Sequence, residues 1–175
     1  MNAEQPWKYG AWIWLWLSAA VILLDQLSKW LVASHLAVYD SIRVLAVFNL
    51  VLIHNAGAAW SFLAGQSGWQ RWFFIALALV VSVVIIIWLR YMPRHQFRWR
   101  AAALALVLGG ALGNVIGRIW HGYVIDFLQF HYHGWYYPSF NLADSAITIG
   151  AVMLIIEGLF FRHEHRGGRA GITKN

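Results

Sequence analysis

Four apolar stretches divide the chain, at about residues 12–33, 70–90, 99–117 and 141–161. An apolar run of about 20 residues is long enough to cross the hydrocarbon core of a bilayer as an α-helix. A helix also satisfies its own backbone groups, which lipid cannot do. The pattern therefore predicts four transmembrane helices, the first of which is too long to be the core of a cleaved signal peptide.

Two of the segments between these helices lack a helical pattern. Residues 41–55 and 122–137 are rich in β-branched and aromatic side chains and alternate in part. This pattern favours strands, which we expect to pair as a small sheet. Residues 55–65 predict a short amphipathic element on the membrane surface. The expected fold class is thus an all-α membrane protein with two small additions. We expect residues 1–163 to form one membrane-embedded domain and residues 164–175 a disordered tail.

Charge and composition give this arrangement an orientation. Hydrophobic residues make up 61% of the chain and charged residues 11%, whereas soluble domains have about 25% charged residues. The net charge of +6 is explained by basic residues between the second and third helices and after the fourth, which argues against a nucleic-acid surface. By the positive-inside rule both termini are cytoplasmic, and residues 34–69 and 118–140 lie on the outer side. The absence of cysteine excludes disulfides and cysteine nucleophiles.

Polar side chains that are costly in lipid gather at one depth, near the outer ends of the predicted helices. They comprise three carboxylates, three amides and one guanidinium, namely Asp25, Asp126, Asp144, Asn55, Asn114, Asn141 and Arg118. Clustering of this kind in an otherwise apolar chain predicts a functional site.

Each of these residues also has a structural interpretation. Asp25 and Lys29 are four residues apart on one helix face and can pair. Asn141 can cap the fourth helix, with Asp144 at its third position, where the helix dipole favours a carboxylate. Asp126 can be a hydrated interfacial residue. Three glycines spaced by four residues favour close helix packing: Gly109, Gly113 and Gly117.

If Asp126 and Asp144 converge, they can carry out acid–base chemistry. Two carboxylates close together tend to share one proton. The ionised group can then take a proton from water while the protonated group polarises a peptide carbonyl. This is the chemistry of an aspartic protease, which requires no cofactor. The histidines lack the spacing of a metal site, so we expect no metal.

The chain resembles the lipoprotein signal peptidases, or signal peptidase II, of bacteria. The resemblance rests on four stretches in the order and spacing of that family: DQLSKW (25–30), FNLVLIHNAGAAWSFL (48–63), GGALGNVIGRIWHGYVIDFL (109–128) and FNLADSAI (140–147). Together they span nearly the whole chain from the first helix to the fourth.

The resemblance implies an inner-membrane aspartyl endopeptidase that cuts prolipoproteins before a diacylglyceryl-modified cysteine. It implies that Asp126 and Asp144 are the catalytic dyad, near the outer membrane–water interface. Residues implied to bind substrate are Asn55, Asn114, Arg118 and Asn141, and those implied to support the site are Asp25, Lys29 and Gly57. It also implies an outer β-cradle and a short outer helix. We expect membrane lipids as partners and a monomeric state.

One residue departs from the family pattern. Gly117 stands where the family usually has an Asp, directly before Arg118, so the arginine lacks a neighbour that would orient it. The dyad is complete, and we expect activity. The alternative from another class is a small membrane transporter or a lipid-binding scaffold, although no polar path continues through the middle of the helices.

Overall fold

The computed structural model of the chain describes residues 10–57, 68–93 and 97–160. Within them lie four helices that are long and apolar enough to cross a membrane. They are α1 Leu15–His35, preceded by a 3₁₀ turn at Ala11–Trp14, then α2 Trp69–Tyr91, α3 Arg98–His121 and α4 Leu142–Phe160. The four predicted spans are therefore confirmed.

The third helix continues one turn beyond its predicted end at residue 117. Arg118 and His121 lower the hydropathy of this turn, so the apolar pattern stops early although the helix does not. The helix ends at Gly122, whose φ of +86° is the left-handed conformation typical of a residue that terminates a helix. Arg118 consequently projects from regular helix.

Helix α3 is the centre of the bundle. Of its most apolar segment, 61% is buried, against 22% for each of the other three helices. Small residues allow this close packing: a Cβ added at Gly109 would lie 2.8 Å from the Ser18 carbonyl oxygen of α1. The predicted packing role of the glycine ladder is confirmed at this position.

A four-stranded antiparallel sheet connects the helices, so the class all-α is too narrow. The strands pair in chain order and are β1 Ser41–Leu45, β2 Phe48–Asn55, β3 Val124–Tyr132 and β4 Trp135–Tyr136. Each segment predicted to be extended contains two strands of a hairpin. In the second hairpin His133 and Gly134 have φ values of 45° and 83°, the positive values required by the tight turn of a two-residue loop.

A bulge in β2 changes its register with β3. Leu50 lies opposite Leu128, but Ile53 lies opposite Asp126, so β2 has one more residue than β3 between these pairs. Residues directly opposite in an antiparallel pair project to the same face, and the face alternates along each strand. In a regular strand Asn55, five positions after Leu50, would project from the opposite face, and the bulge places it on the face that carries Asp126.

The inner face of the sheet packs against α1 through a small apolar cluster, formed by Val32, Leu52, Ile125 and Phe127. The predicted amphipathic element at 55–65 lies largely outside the described residues, as does the predicted tail at 164–175.

Candidate active site

The carboxylates of Asp126 on β3 and Asp144 on α4 meet at one residue, Asn141. The Asn141 Nδ2 donates to Asp126 Oδ1 at 2.7 Å, and the Asn141 backbone N–H donates to Asp144 Oδ2 at 3.1 Å. Asn141 is fully buried, and Asp126 is 2% exposed. The two acids, 18 positions apart in the sequence, are therefore held around one side chain.

Asn141 is at the same time the cap of α4. Its side-chain oxygen accepts a hydrogen bond of 3.0 Å from the Asp144 backbone N–H, and Asp144 returns the contact by accepting the Asn141 N–H. This reciprocal pattern is a capping box. The structural interpretation of Asp144 is thus correct in geometry, and it is compatible with chemistry because the second carboxylate oxygen, Oδ1, projects to α3.

The amide of Asn55 holds the other oxygen of Asp126. Asn55 Nδ2 donates to Asp126 Oδ2 at 2.9 Å, and Asn55 Oδ1 accepts the Gly57 N–H at 2.9 Å. The second contact fixes the orientation of the amide, because only its oxygen can accept from a backbone N–H. The bulge in β2 places this amide on the face of Asp126.

Asn114 on α3 links Asp144 to a buried ion pair. Asn114 Nδ2 donates to Asp144 Oδ1 at 2.8 Å, and Asn114 Oδ1 accepts from Lys29 Nζ at 2.9 Å. The same ammonium contacts Asp25 Oδ2 at 2.7 Å, and Asp25 Oδ1 accepts the Ala143 N–H at 3.0 Å. The predicted Asp25–Lys29 pair is present and extends to the start of α4.

Arg118 reaches the site without a direct contact to either acid among its described hydrogen bonds. Its Nη2 donates to the Gly57 carbonyl at 2.9 Å, and its guanidinium lies over the Phe74 ring. The backbone of Gly57 therefore accepts a hydrogen bond from Arg118 through its carbonyl and donates one to Asn55 through its N–H. Gly117 is the residue that departs from the family pattern. A Cβ on it would lie 3.2 Å from the Tyr123 carbonyl oxygen, so glycine permits the close approach between α3 and the start of β3.

The environment of Asp126 keeps this carboxyl partly protonated at neutral pH. Burial, and then the neighbouring Asp144 carboxylate, raise the pKa of Asp126 to about 7. The hydrogen bonds from Asn55 and Asn141 and the charge of Lys29 act in the opposite direction. Asp126 can therefore hold the proton that a pair of adjacent carboxylates shares.

A cavity of about 710 Å³ opens directly onto the two acids. Five of the predicted site residues line it: Asn55, Asn114, Arg118, Asp126 and Asp144. Asn141, Asp25 and Lys29 lie behind this lining, where they are buried. The cavity has a volume typical of ligand sites, and its mixture of apolar walls with a few polar groups is typical as well.

The model of the family described as Signal peptidase (SPase) II matches residues 17–160 of this chain. The chain belongs to the signal peptidase II family. This membership favours the peptidase over the transporter or scaffold that the sequence left as an alternative.

Named relatives of the signal peptidase II family cover most of the chain. The lipoprotein signal peptidase of Alteromonas mediterranea is 55% identical over 143 residues, which are 82% of this chain and 78% of the relative. The lipoprotein signal peptidase of Pseudomonas aeruginosa strain UCBPP-PA14 is 48% identical over 165 residues, which are 93% and 96% of the two chains.

Two solved structures, both described as bacterial membrane enzymes determined by the in meso method, share the fold. The structure at 2.3 Å resolution has a TM-score of 0.77 at 28% identity and covers 93% of this chain and 94% of its own. The structure at 1.9 Å resolution has a TM-score of 0.71 at 29% identity, and the match covers 85% of this chain and 93% of the chain in that structure.

One wall of the cavity was not predicted from the sequence of this signal peptidase II family member. It is aromatic and comes from the second hairpin and the segment after it: Phe130, Trp135, Tyr137 and Phe140. The aromatic enrichment of residues 122–137 predicts strands. It does not indicate which rings face the site, because the hairpin turn at His133 and Gly134 decides this.

Proposed function

We propose that this protein is a lipoprotein signal peptidase, a membrane-embedded aspartic endopeptidase. It removes the signal peptide from diacylglyceryl-modified bacterial prolipoproteins by cutting before the lipidated cysteine. The observation that carries the proposal is the meeting of Asp126 and Asp144 on the single buried residue Asn141. Family membership supplies the substrate class.

The two carboxylates have different roles. Asp126 carries the shared proton, because its pKa is raised to about 7 by burial and by Asp144. Asp144 is then the ionised partner. It lies in the first turn of α4, where the helix dipole favours a negative charge, and it accepts two N–H donors, from Asn114 and Asn141.

Cleavage proceeds by addition of water to the scissile carbonyl. The water oxygen bonds to the carbonyl carbon while Asp144 accepts a proton from the water. At the same time the Asp126 hydroxyl donates a hydrogen bond to the carbonyl oxygen. The tetrahedral intermediate then breaks at the C–N bond, and the proton on Asp144 passes to the leaving nitrogen. The products are a signal peptide with a new carboxylate and a lipoprotein with a free amine on its lipidated cysteine.

Substrate binding falls to the remaining groups of the cavity. Arg118 and the amides of Asn55 and Asn114 lie beside the acids and can contact the extended peptide backbone. The aromatic wall offers apolar surface to the lipid-modified part of the substrate. Asn141, Asp25, Lys29 and Gly57 hold these groups in place.

The protein is a multi-pass protein of the bacterial inner membrane. We propose that both termini are cytoplasmic and that the site lies near the outer interface. Asp126 and Asp144 lie at the end of the bundle where α3 stops and α4 begins, opposite the basic segment between α2 and α3. The distribution of arginine and lysine supports this orientation.

The test is a cleavage assay with the purified full-length protein in detergent and a diacylglyceryl-modified precursor, in which product is separated on a gel. We expect the wild type to cut and Asp144→Asn to lose at least about 1,000-fold in rate. Asparagine can still accept the Asn141 N–H, so loss of activity in this variant separates chemistry from capping.

Asp40→Asn is the matched control. Asp40 is an exposed carboxylate in a loop, where it accepts the Ala37 N–H, and we expect this variant to cut at the wild-type rate. Full activity of Asp144→Asn or Asp126→Asn would refute the assigned dyad, and a wild type that leaves the precursor intact would refute the proposed function.

A further inference from the structure

A buried lysine lies two hydrogen bonds from the proposed general base. The side chain of Lys29 is 5% exposed, and a buried ammonium is costly unless its hydrogen bonds are satisfied. Its partner Asp25 offsets this cost, but the ammonium also contacts Asn114 on another helix. The ion pair alone does not require this second contact.

The chemistry of the ammonium decides which way the Asn114 amide points. An ammonium has donors only, so the Asn114 atom 2.9 Å from Nζ is the amide oxygen. Asn141 Nδ2 also donates to that oxygen, at the longer distance of 3.3 Å. The amide nitrogen is thereby directed to Asp144 Oδ1, 2.8 Å away. A rotated amide would oppose N–H groups to the ammonium and present its oxygen to the carboxylate.

We propose that Lys29 is a positioning residue for the dyad: acting through the Asn114 amide, it holds Asp144 in the orientation that receives the proton of water. The inference rests on the proposed function and extends it to a side chain that lies behind the cavity lining. Lys29 touches neither substrate nor the reacting atoms.

The charges that interact with Lys29 are carboxylates from three elements. Asp25 lies on α1, Asp144 on α4 and Asp126 on β3. The positive charge of Lys29 lowers the pKa of Asp126, against the larger effect of burial. Removal of the Lys29 charge should therefore raise the pKa of Asp126 further.

The experiment compares Lys29→Met with Ser18→Ala in the full-length protein, using the precursor cleavage assay. Ser18 is an equally buried polar residue of α1, and its hydroxyl donates to the Ala105 carbonyl of α3 at 2.8 Å, far from the dyad along the helix. We expect Lys29→Met to lower kcat about 10- to 100-fold, as for a lost hydrogen bond to a charged group, with KM within about twofold. The alkaline limb of its pH profile should move to higher pH. Ser18→Ala should leave kcat, KM and the pH profile unchanged.

A cycle with Asn114→Ala tests the route of the effect. If Lys29 acts through the amide, Lys29→Met should cost nothing further once Asn114 is alanine. Because Lys29→Met leaves the Asp25 charge buried without its partner, the neutral pair Asp25→Asn/Lys29→Met is measured beside it and replaces it if the single variant fails to fold.

The inference is overturned if a folded variant without Lys29 keeps kcat within about twofold of the wild type. It is equally overturned if the losses of Lys29→Met and Asn114→Ala multiply. A wild type that does not cut the precursor would refute the proposed function instead, so the two failures are distinguishable.

Discussion

Neutral amides hold the two carboxylates of the site. Asp126 accepts from Asn55 and Asn141, and Asp144 accepts from Asn114 and from the Asn141 backbone. An amide donor orients a carboxylate without neutralising it, whereas a directly bound arginine would lower its pKa strongly. The pair can therefore retain one proton near neutral pH, as acid–base catalysis by two aspartates requires.

Activity should fall as pH rises through the pKa of Asp126. The acid must be protonated to donate to the carbonyl oxygen, and its pKa is raised to about 7, so log kcat/KM should decline by about one unit per pH unit above that value. The measurement is kcat/KM from pH 5 to about 9, with Asp40→Asn as the control. A profile that is flat between about pH 6 and 9 would contradict the assignment of Asp126 as the acid.

Gly113→Ala should damage the site through Asp25. A Cβ at this position would lie 2.7 Å from Asp25 Oδ2, the oxygen that accepts from Lys29. We expect a loss of stability of about 1–3 kcal/mol, as for overpacking of a tight core, and a lower kcat. Thermal unfolding in detergent measures the first effect, and the cleavage assay measures the second.

Gly158→Ala is the matched control for this substitution. A Cβ at Gly158 meets no atom within 4 Å, and alanine is the better helix former by about 1 kcal/mol. This variant should be at least as stable as the wild type. Equal behaviour of the two alanine variants would show that the Asp25 contact tolerates displacement.

At the scale of elements, the register of two strands completes the site. The bulge between Leu50 and Ile53 of β2 turns Asn55 to the face of Asp126, and the cap of α4 brings Asp144 to the same point. Bulges often occur beside active sites, where they redirect a side chain. The site therefore depends on the bulge in β2 and on the cap of α4, which are both departures from regular backbone structure.

Insertion of one alanine between Ile53 and His54 should remove most of the activity. Asn55 would then lie one position further along β2, project from the opposite face and lose its bond to Asp126. We expect kcat to fall at least about 100-fold, the cost of a misplaced group in the site. Deletion of Val51 is the control, because Asn55 then lies four positions after Leu50 in a regular strand and stays on the face of Asp126. The deletion should retain activity within about tenfold, and equal rates of the two variants would argue against a role for the register of Asn55.

At the scale of the whole molecule, the site occupies one end of a bundle organised around α3. The residues of the site come from α1, β2, β3, α3 and α4, and the remainder of each helix is apolar. Proteolysis at one depth, rather than transport across the membrane, is the activity this distribution supports.

The orientation of the molecule can be measured without background, because the chain contains no cysteine. Tyr39→Cys lies in the loop before β1, and Arg98→Cys lies at the start of α3; both positions are exposed. With an impermeant maleimide on spheroplasts, Tyr39→Cys should be labelled at once and Arg98→Cys only after lysis. Both variants are labelled after lysis as a control for reactivity, and the reverse order would place the site at the cytoplasmic side.

Much of the architecture could be predicted from local patterns. Hydropathy is a sum over consecutive residues, so the four helices and their approximate ends followed from it, and the ends were least certain where polar residues such as Arg118 continue a helix. The candidate site residues were identifiable because carboxylates and amides are rare and costly in an apolar chain. Four motifs in order then indicated the family.

The sequence by itself determined the helices, and it identified the polar residues near their ends and the two acids of the proposed dyad. Only the tertiary structure decided that Asn141 contacts both acids, that the bulge places Asn55 beside Asp126, that Lys29 contacts the Asn114 amide and that the second hairpin and the segment after it supply the aromatic wall. The physical reason is that hydropathy and helix length are properties of consecutive residues. Register and amide orientation depend instead on partners from other elements, brought together only when α1, α3, α4 and the sheet pack.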